Sequence, residues 1–461
     1  MANNGRQQRA RKPSPVIKSR LPHGRGATEQ PNATGIHDAR LTPRFWLLLT
    51  VTSVIAGTFG SLLMRLLFIV MDLAYGYKGG NLDPYLKLAS PAHRILALLI
   101  AGAIGGPGFY LIRKKLKGGT TDADDLIWSR HGQLSTSKST ASSILQEIVI
   151  GLGASIGREA APKLMGAVAG DYISRTFKVT DEQRWLLIAC GAGAGLASVY
   201  NVPLAGAIFI VEVFLAEVNI SVALPALAST AIATLTSYVF LPAQPAYPNV
   251  RNFHLHGSEI IFALVAAPIV AIFATLFVRL IGLVSHHKAK GKVVIFAPLI
   301  MMAIQGVLGI WFYELFGNGK DMAQNLLGGE MTSLPLLAAL FLLKPVLTAL
   351  VLESGLSGGL LTPLFASGAL LGGFLGGIWI HFFHSGSIEA YAMLGASAAL
   401  GAGLQAPLTG LVLILELTHT GLQIIVPIIL ITFLATAISR RIDGYSIYSA
   451  RLPEVIEEQI E

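Results

Sequence analysis

The sequence predicts an all-α polytopic membrane protein built from tilted and broken helices. Three observations predict it. Apolar residues make up 53% of the 461-residue chain and charged residues only 13%, whereas soluble domains carry about 25% charged residues. Long apolar runs recur, including FWLLLTVTSVIAG from Phe45, IIFALVAAPIVAIFATLFV from Ile260 and IIVPIILITFLATAI from Ile424. Several have the length needed to span a bilayer. Glycine (49 residues) and proline (22) are abundant. In lipid, glycine permits close helix contact, and both residues occur where a helix is broken to expose backbone groups.

In chain order, residues 1–44 read as a basic tail. MANNGRQQRARKPSPVIKSRLPHGRG has clustered arginines and lysines, prolines and no apolar run. It is therefore not a secretory signal, and its charge favours the cytoplasmic face of a membrane. The tail supplies most of the net charge of +8. Nothing beside it supports nucleic-acid binding. Cys190 is the sole cysteine, which excludes an internal disulfide and a cysteine metal site. His286 and His287 lie in the polar patch SHHKAKGK, read as a solvated loop. There is no metal-ligand spacing, phosphate loop or dinucleotide fingerprint, so no cofactor is expected.

Residues 45–245 and 258–452 read as two membrane repeats joined by a linker at 246–257, with a short tail at 453–461. GAGAGLASVYNVPLAGAIFIVEV ends at Val213, and GASAALGAGLQAPLTGLVLILEL ends at Leu417. Both contain P-L-[AT]-G with a glutamate six residues after the glycine. Pro203 pairs with Pro407, Gly206 with Gly410 and Glu212 with Glu416, each 204 residues apart. A weaker echo links GASIGREAAP to ESGLSGGLLTP. Repeats of this kind occur in secondary transporters, where a site forms between them near the midplane.

The stretch GREAAPKLMG, residues 157–166, places Arg158, Glu159 and Lys163 among glycines and alanines. One reading is mutual neutralisation, since charges inside membranes commonly pair. The other is an anion site. An anion in hydrocarbon must replace its hydration, and backbone N–H groups at helix starts can do so. Small residues such as Gly157 and Ala160 let the backbone approach the ion. A glutamate there competes with the anion while charged and lets go when protonated. Lys163, four residues beyond Glu159, shares its helix face.

GREAAP, GLSGGLLTP, NVPLAGAIFIVEV and IYSAR, in this order and separation, resemble the signature segments of the CLC chloride channels and chloride/proton antiporters. The resemblance spans roughly residues 45–452. It implies a multi-pass protein of the cell membrane, a CLC-type inverted repeat of tilted and broken helices. It also implies a homodimer with a separate anion pathway in each subunit. The gating glutamate of that family falls on Glu159, its backbone anion ligands on Leu360 and Leu361, and its pore tyrosine on Tyr448. Gly157, Arg158 and Ala160 flank the gate in the anion-binding turn. Chloride is then the transported ligand, with protons as a second partner.

Departures from the pattern shape the expectation. Ala160 and Ala161 precede Pro162, where the family places glycine and proline directly after the glutamate; the helix start near the gate is expected to shift. The family's central-site serine falls on Gly119 in GGTTD, leaving Thr120 or Thr121 as substitute hydroxyls and predicting a weaker central site. The proton route of antiporters uses two adjacent glutamates; here the pair is Glu212 and Val213, and valine carries no proton. Only LPEVIEEQIE follows IYSAR, so no C-terminal regulatory domain is expected. These features predict chloride transport gated by Glu159, passive or weakly proton-coupled. A tightly coupled chloride/proton antiporter, a fluoride-selective transporter and a non-conducting membrane scaffold are the alternatives. No nucleophile and base lie in a pattern that predicts an enzyme.

Overall fold

A computed structural model describes residues 39–452, apart from residues 249, 251, 252 and 254. The basic tail through residue 38, those four linker positions and the 453–461 tail lie outside the described residues. The first half contains α1 (Pro43–Tyr75), α2 (Asp83–Leu88), α3 (Pro91–Lys115), α4 (Ala123–Ser129), α5 (Thr136–Gly151), α6 (Ala160–Thr176), α7 (Asp181–Tyr200), α8 (Pro203–Phe209) and α9 (Ile220–Ser237). A π-helical turn, Ile210–Leu215, continues α8. The second half contains α10 (Gly257–His286), α11 (Val293–Leu308), α12 (Lys320–Leu327), α13 (Leu334–Glu353), α14 (Leu361–Phe383), α15 (Ile388–Leu404), α16 (Pro407–Thr418) and α17 (Ile425–Ile442). Among the described residues there is no β-strand, only two isolated bridges.

Local sequence explains the helix starts. The Thr42 hydroxyl accepts from the Phe45 N–H at 3.2 Å, and the Ser90 hydroxyl accepts from the His93 N–H at 3.2 Å. Each cap satisfies a donor with no partner inside the helix. Proline follows each cap at the first helical position, where its missing N–H costs nothing. Arg113, Lys114 and Lys115 close α3 and complement the negative end of its dipole.

Seven helical stretches are long and apolar enough to cross a membrane among the described residues: α1, α3, α9, α10, α13, α14 and Leu422–Ile442, which contains α17. Outward-facing leucines and isoleucines on these helices, such as Leu62, Ile100, Leu264 and Ile272, stay exposed, as expected where lipid replaces water as the solvent. The centre is different. α7 and α15 are buried along nearly their whole lengths, and each packs closely on its predecessor, α6 or α14. At the α6–α7 crossing a side chain on either Gly166 or Gly191 would strike the other's carbonyl. Only glycine allows that approach.

The two halves have matching order and opposite direction. The pairs α6–α7, α7–α9 and α1–α9 pack in the first half as α14–α15, α15–α17 and α10–α17 do in the second. Glu212, in the π-helical turn that continues α8, reaches the start of α16: it accepts from Leu408 N–H at 3.1 Å and Thr409 N–H at 2.6 Å. Glu416, at the far end of α16, reaches the start of α8: it accepts from Leu204 N–H at 3.0 Å and Ala205 N–H at 2.6 Å. Two neighbouring helices can cap each other this way only if they run antiparallel. Because α8 and α16 are repeat counterparts, the repeat is inverted.

Candidate functional site

Two irregular turns meet at the centre. One joins α5 to α6 and carries GREAAP; the other joins α13 to α14 and carries GGLLTP. Gly157 and Gly359 form an antiparallel bridge, each N–H donating to the other's carbonyl at 2.7 Å. Helix α6 begins three residues after its bridge glycine and α14 two residues after. The extra residue of GREAAP therefore lengthens the turn. Pro162 and Pro363 both become the third residue of their helices, where a helix has no N–H partner to lose.

Glu159 ends the longer turn and does not cap its own helix. Its carboxylate crosses to α14. Leu361 N–H donates to Oε1 at 2.6 Å, and the Thr362 hydroxyl donates to Oε2 at 3.2 Å. The Tyr200 hydroxyl lies 2.6 Å from the Thr362 hydroxyl and 3.4 Å from Oε2. Glu159 is buried, with 2% of its surface exposed. Its carboxylate thus takes the backbone donor at the positive end of a 23-residue helix, a place suited to an anion. A side chain at Gly157 or Gly359 would collide with that carboxylate, so both glycines leave room for it.

Beside Glu159 lies a cavity of about 860 Å³, a vestibule lined by Glu159, Ala160, Leu360 and Tyr448. Seven cations line it, Arg113, Lys114, Lys138, Lys163, Lys288, Lys290 and Arg451, against three carboxylates, Asp122, Asp124 and Glu159. That excess concentrates anions. Tyr448 is held edge-on by Trp128 and Phe209, with ring centroids 6.3 and 6.0 Å away. Lys163 lies 4.4 Å from the centre of the Tyr448 ring. Its ammonium also makes a buried bidentate pair with Asp124 at 2.7 and 2.8 Å.

The remaining sequence-selected residues fall elsewhere. Gly157, Arg158 and Leu361 do not line the vestibule. The Arg158 guanidinium stacks over Tyr200 at 5.3 Å and acts electrostatically on Tyr77 and Lys320. Gly119 and Thr120 do line it, but Gly119 is not a vacant ligand position, because a side chain there would collide with the Gln133 carbonyl. Thr120 N–H donates to that carbonyl at 3.1 Å, and its hydroxyl oxygen accepts from Asp122 N–H at 3.0 Å. Helix α4 starts later, and Asp122 caps it by accepting from the Asp124 and Asp125 N–H groups, both at 3.1 Å. A protein carboxylate consumes these donors. Glu212 and Val213 also lie outside the vestibule lining; the Glu212 carboxylate is spent on α16 and Val213 is buried.

Sequence reasoning missed Thr362, Tyr200 and Asp124, and it gave Glu416 no role. Only Glu416 carried a signal, its 204-residue offset from Glu212. Tyr200 precedes NVPLAG, and no spacing links it to the GREAAP turn.

The family model described as voltage gated chloride channel matches residues 109–440. An H(+)/Cl(-) exchange transporter ClcA from Vibrio campbellii is 26% identical over 384 residues, covering 79% of this chain and 80% of that protein. A solved slow cyanobacterial Cl−/H+ antiporter superposes with a TM-score of 0.79 at 19% identity, covering 92% of this chain and 100% of that one. A CLC-type fluoride/proton antiporter gives 0.70 at 20% identity, covering 88% and 98%.

Proposed function

This chain belongs to the voltage-gated chloride channel family, and from that premise we propose that it carries chloride across a lipid bilayer, with Glu159 as its protonatable gate. The carrying observation is the Glu159 carboxylate seated on the Leu361 N–H at 2.6 Å. While charged, it occupies the donor an anion needs. Protonation removes the charge that holds it, and chloride takes the site. Backbone donors hold chloride through partial charges, which permits release as well as binding. Leu360, Leu361 and Tyr448 line this route in the proposal, while Arg158 and the bridge glycines support the turn.

The basic end of α3 and the lysines of the 287–292 loop support a cytoplasmic vestibule side by the positive-inside rule. His93 near the start of α3 contacts the Ala74 carbonyl at the end of α1, 2.7 Å away. Both helices span, so the start of α1 lies on the vestibule side. On this proposal the basic tail is cytoplasmic. A homodimer with one pathway in each subunit belongs to the same proposal, tested by cross-linking in the membrane.

Val213 and the engaged Glu212 favour passive or weakly coupled passage. Exchange of chloride for protons is a second reading, favoured by the relative named as an H(+)/Cl(-) exchange transporter. Chloride efflux from vesicles holding the purified chain tests the proposal. Efflux that grows as the pH falls supports it. A protein that passes no chloride at any pH or voltage is a scaffold, and the proposal fails.

A further inference from the structure

Helix α5 carries a polar stripe that the transport account leaves unused. Ser139, Ser143, Gln146 and Glu147 recur at intervals of three and four, so they share one face. All four are buried, and Glu147 is 0% exposed. One edge of this face borders the vestibule: Lys138, Ser142 and Gln146 line it, and the Gln146 amide donates to the Ser142 hydroxyl at 3.1 Å. The other edge meets the gate helix, where the Ser143 hydroxyl donates to the Ala161 carbonyl at 3.4 Å.

Glu147 stands out on that stripe. Neither carboxyl oxygen has a hydrogen-bond partner, and the Gln146 carbonyl oxygen and Ser139 hydroxyl also lack one. Buried polar groups are almost always partnered, and a buried carboxylate without partners is costly. The charged groups acting on Glu147 are Arg158 and Glu159, both from the turn leading into α6. Helices α1 and α3 also pack on α5, but among the described residues they bring no charge that acts on it. Glu147 therefore follows directly on the vestibule-lining Gln146 and feels the charge of Glu159, with Arg158 opposing its own charge.

We infer that Glu147 is the internal proton carrier of the transport cycle, taking protons from the vestibule along the α5 stripe and passing them to Glu159. This rests on the exchange reading above. A vestibule proton forms an O–H bond on the Glu147 carboxylate. That bond breaks as the proton moves to a carboxylate oxygen of Glu159. Glu147 is left anionic opposite Arg158, and Glu159 is neutral. The pair's total charge is unchanged by the transfer. Neutral Glu159 releases the Leu361 N–H, and chloride occupies it. On this account the glutamate missing at Val213 is replaced from a different helix.

The test is simultaneous chloride and proton flux in vesicles for the wild type, Glu147→Gln and Glu147→Asp. The amide keeps size and polarity but carries no proton. The expected result is chloride flux that persists in Glu147→Gln, because Glu159 still takes protons from the face opposite the vestibule, with proton flux reduced about 100-fold, as for loss of an acid–base group. Glu147→Asp should retain part of the proton flux. Persistent chloride flux reports a folded protein. An unchanged proton-to-chloride ratio in Glu147→Gln overturns the carrier and leaves Glu147 as a counter-charge for Arg158. A wild type that moves chloride without protons overturns the carrier alone, whereas one that moves neither ion overturns the transport reading with it.

Discussion

Replacing Glu159 with glutamine removes the charge of the proposed gate and keeps its shape. The seated carboxylate accepts from Leu361 N–H at 2.6 Å and from the Thr362 hydroxyl at 3.2 Å. Hydrogen bonds to charged groups contribute about 1.5–3 kcal/mol each, and neutral ones about 0.5–1.5 kcal/mol. Losing the charge in both bonds weakens the seated state by roughly 2 kcal/mol, about 30-fold in the seated-to-released ratio. Chloride efflux from vesicles, measured across a pH series, reads this directly. Wild-type flux should fall as Glu159 ionises. Glu159→Gln should stay within about twofold of its low-pH rate throughout, so its advantage at high pH approaches roughly 30-fold where seating limits flux. A glutamine variant whose pH profile is as steep as wild type would refute the assignment of the gate.

Three further outcomes follow from the geometry. Gly359→Ala places a methyl group against the Glu159 carboxyl carbon; efflux at high pH should rise, with the low-pH rate little changed, in the same assay. Glu212→Ala or Glu416→Ala leaves two N–H groups of the partner helix uncapped. Each should destabilise the protein by about 1–2 kcal/mol, by analogy with a lost helix cap, seen as a lower Tm in detergent with an unchanged proton-to-chloride ratio. Lys288, half-buried in the loop between α10 and α11, is pushed down to about 7 by burial and by Arg113 and Arg451. It is charged below that pH and neutral above it, so the vestibule loses a cation as pH rises. In a Glu159→Gln background, chloride uptake from the vestibule side should drop about twofold through that range, the effect of one charge about 10 Å away in water. Lys288→Met should abolish the drop.

The sequence made the architecture legible because the repeat preserves spacing. The 204-residue offset of Pro203, Gly206 and Glu212 from their counterparts marks the pair of helices that cap each other. The direction of the second half was not legible, since letters carry no polarity relative to a membrane; it emerged from which carboxylate reaches which helix start. Glu159 was found because charge among glycines in an apolar run is costly and therefore conspicuous. Thr362 and Tyr200 were not, because their roles depend on a meeting of turns some two hundred residues apart. The reading of Gly119 shows the limit of motif alignment. A missing side chain suggested a missing ligand, but the backbone there is pinned to Gln133 and Asp122 starts the helix. The shifted Pro162 was legible as a letter change. That the longer turn absorbs the shift, leaving Pro162 in the same helical position as Pro363, required the bridge between Gly157 and Gly359.

The central claim is that chloride and the Glu159 carboxylate compete for one backbone donor, the Leu361 N–H. Calorimetric chloride binding to the purified wild type, repeated across a pH series, tests it most directly. Competition predicts that chloride binds more tightly as the pH falls and that each mole of chloride bound takes up protons from the buffer. Chloride affinity that stays constant across the series, with no proton uptake, would contradict the claim.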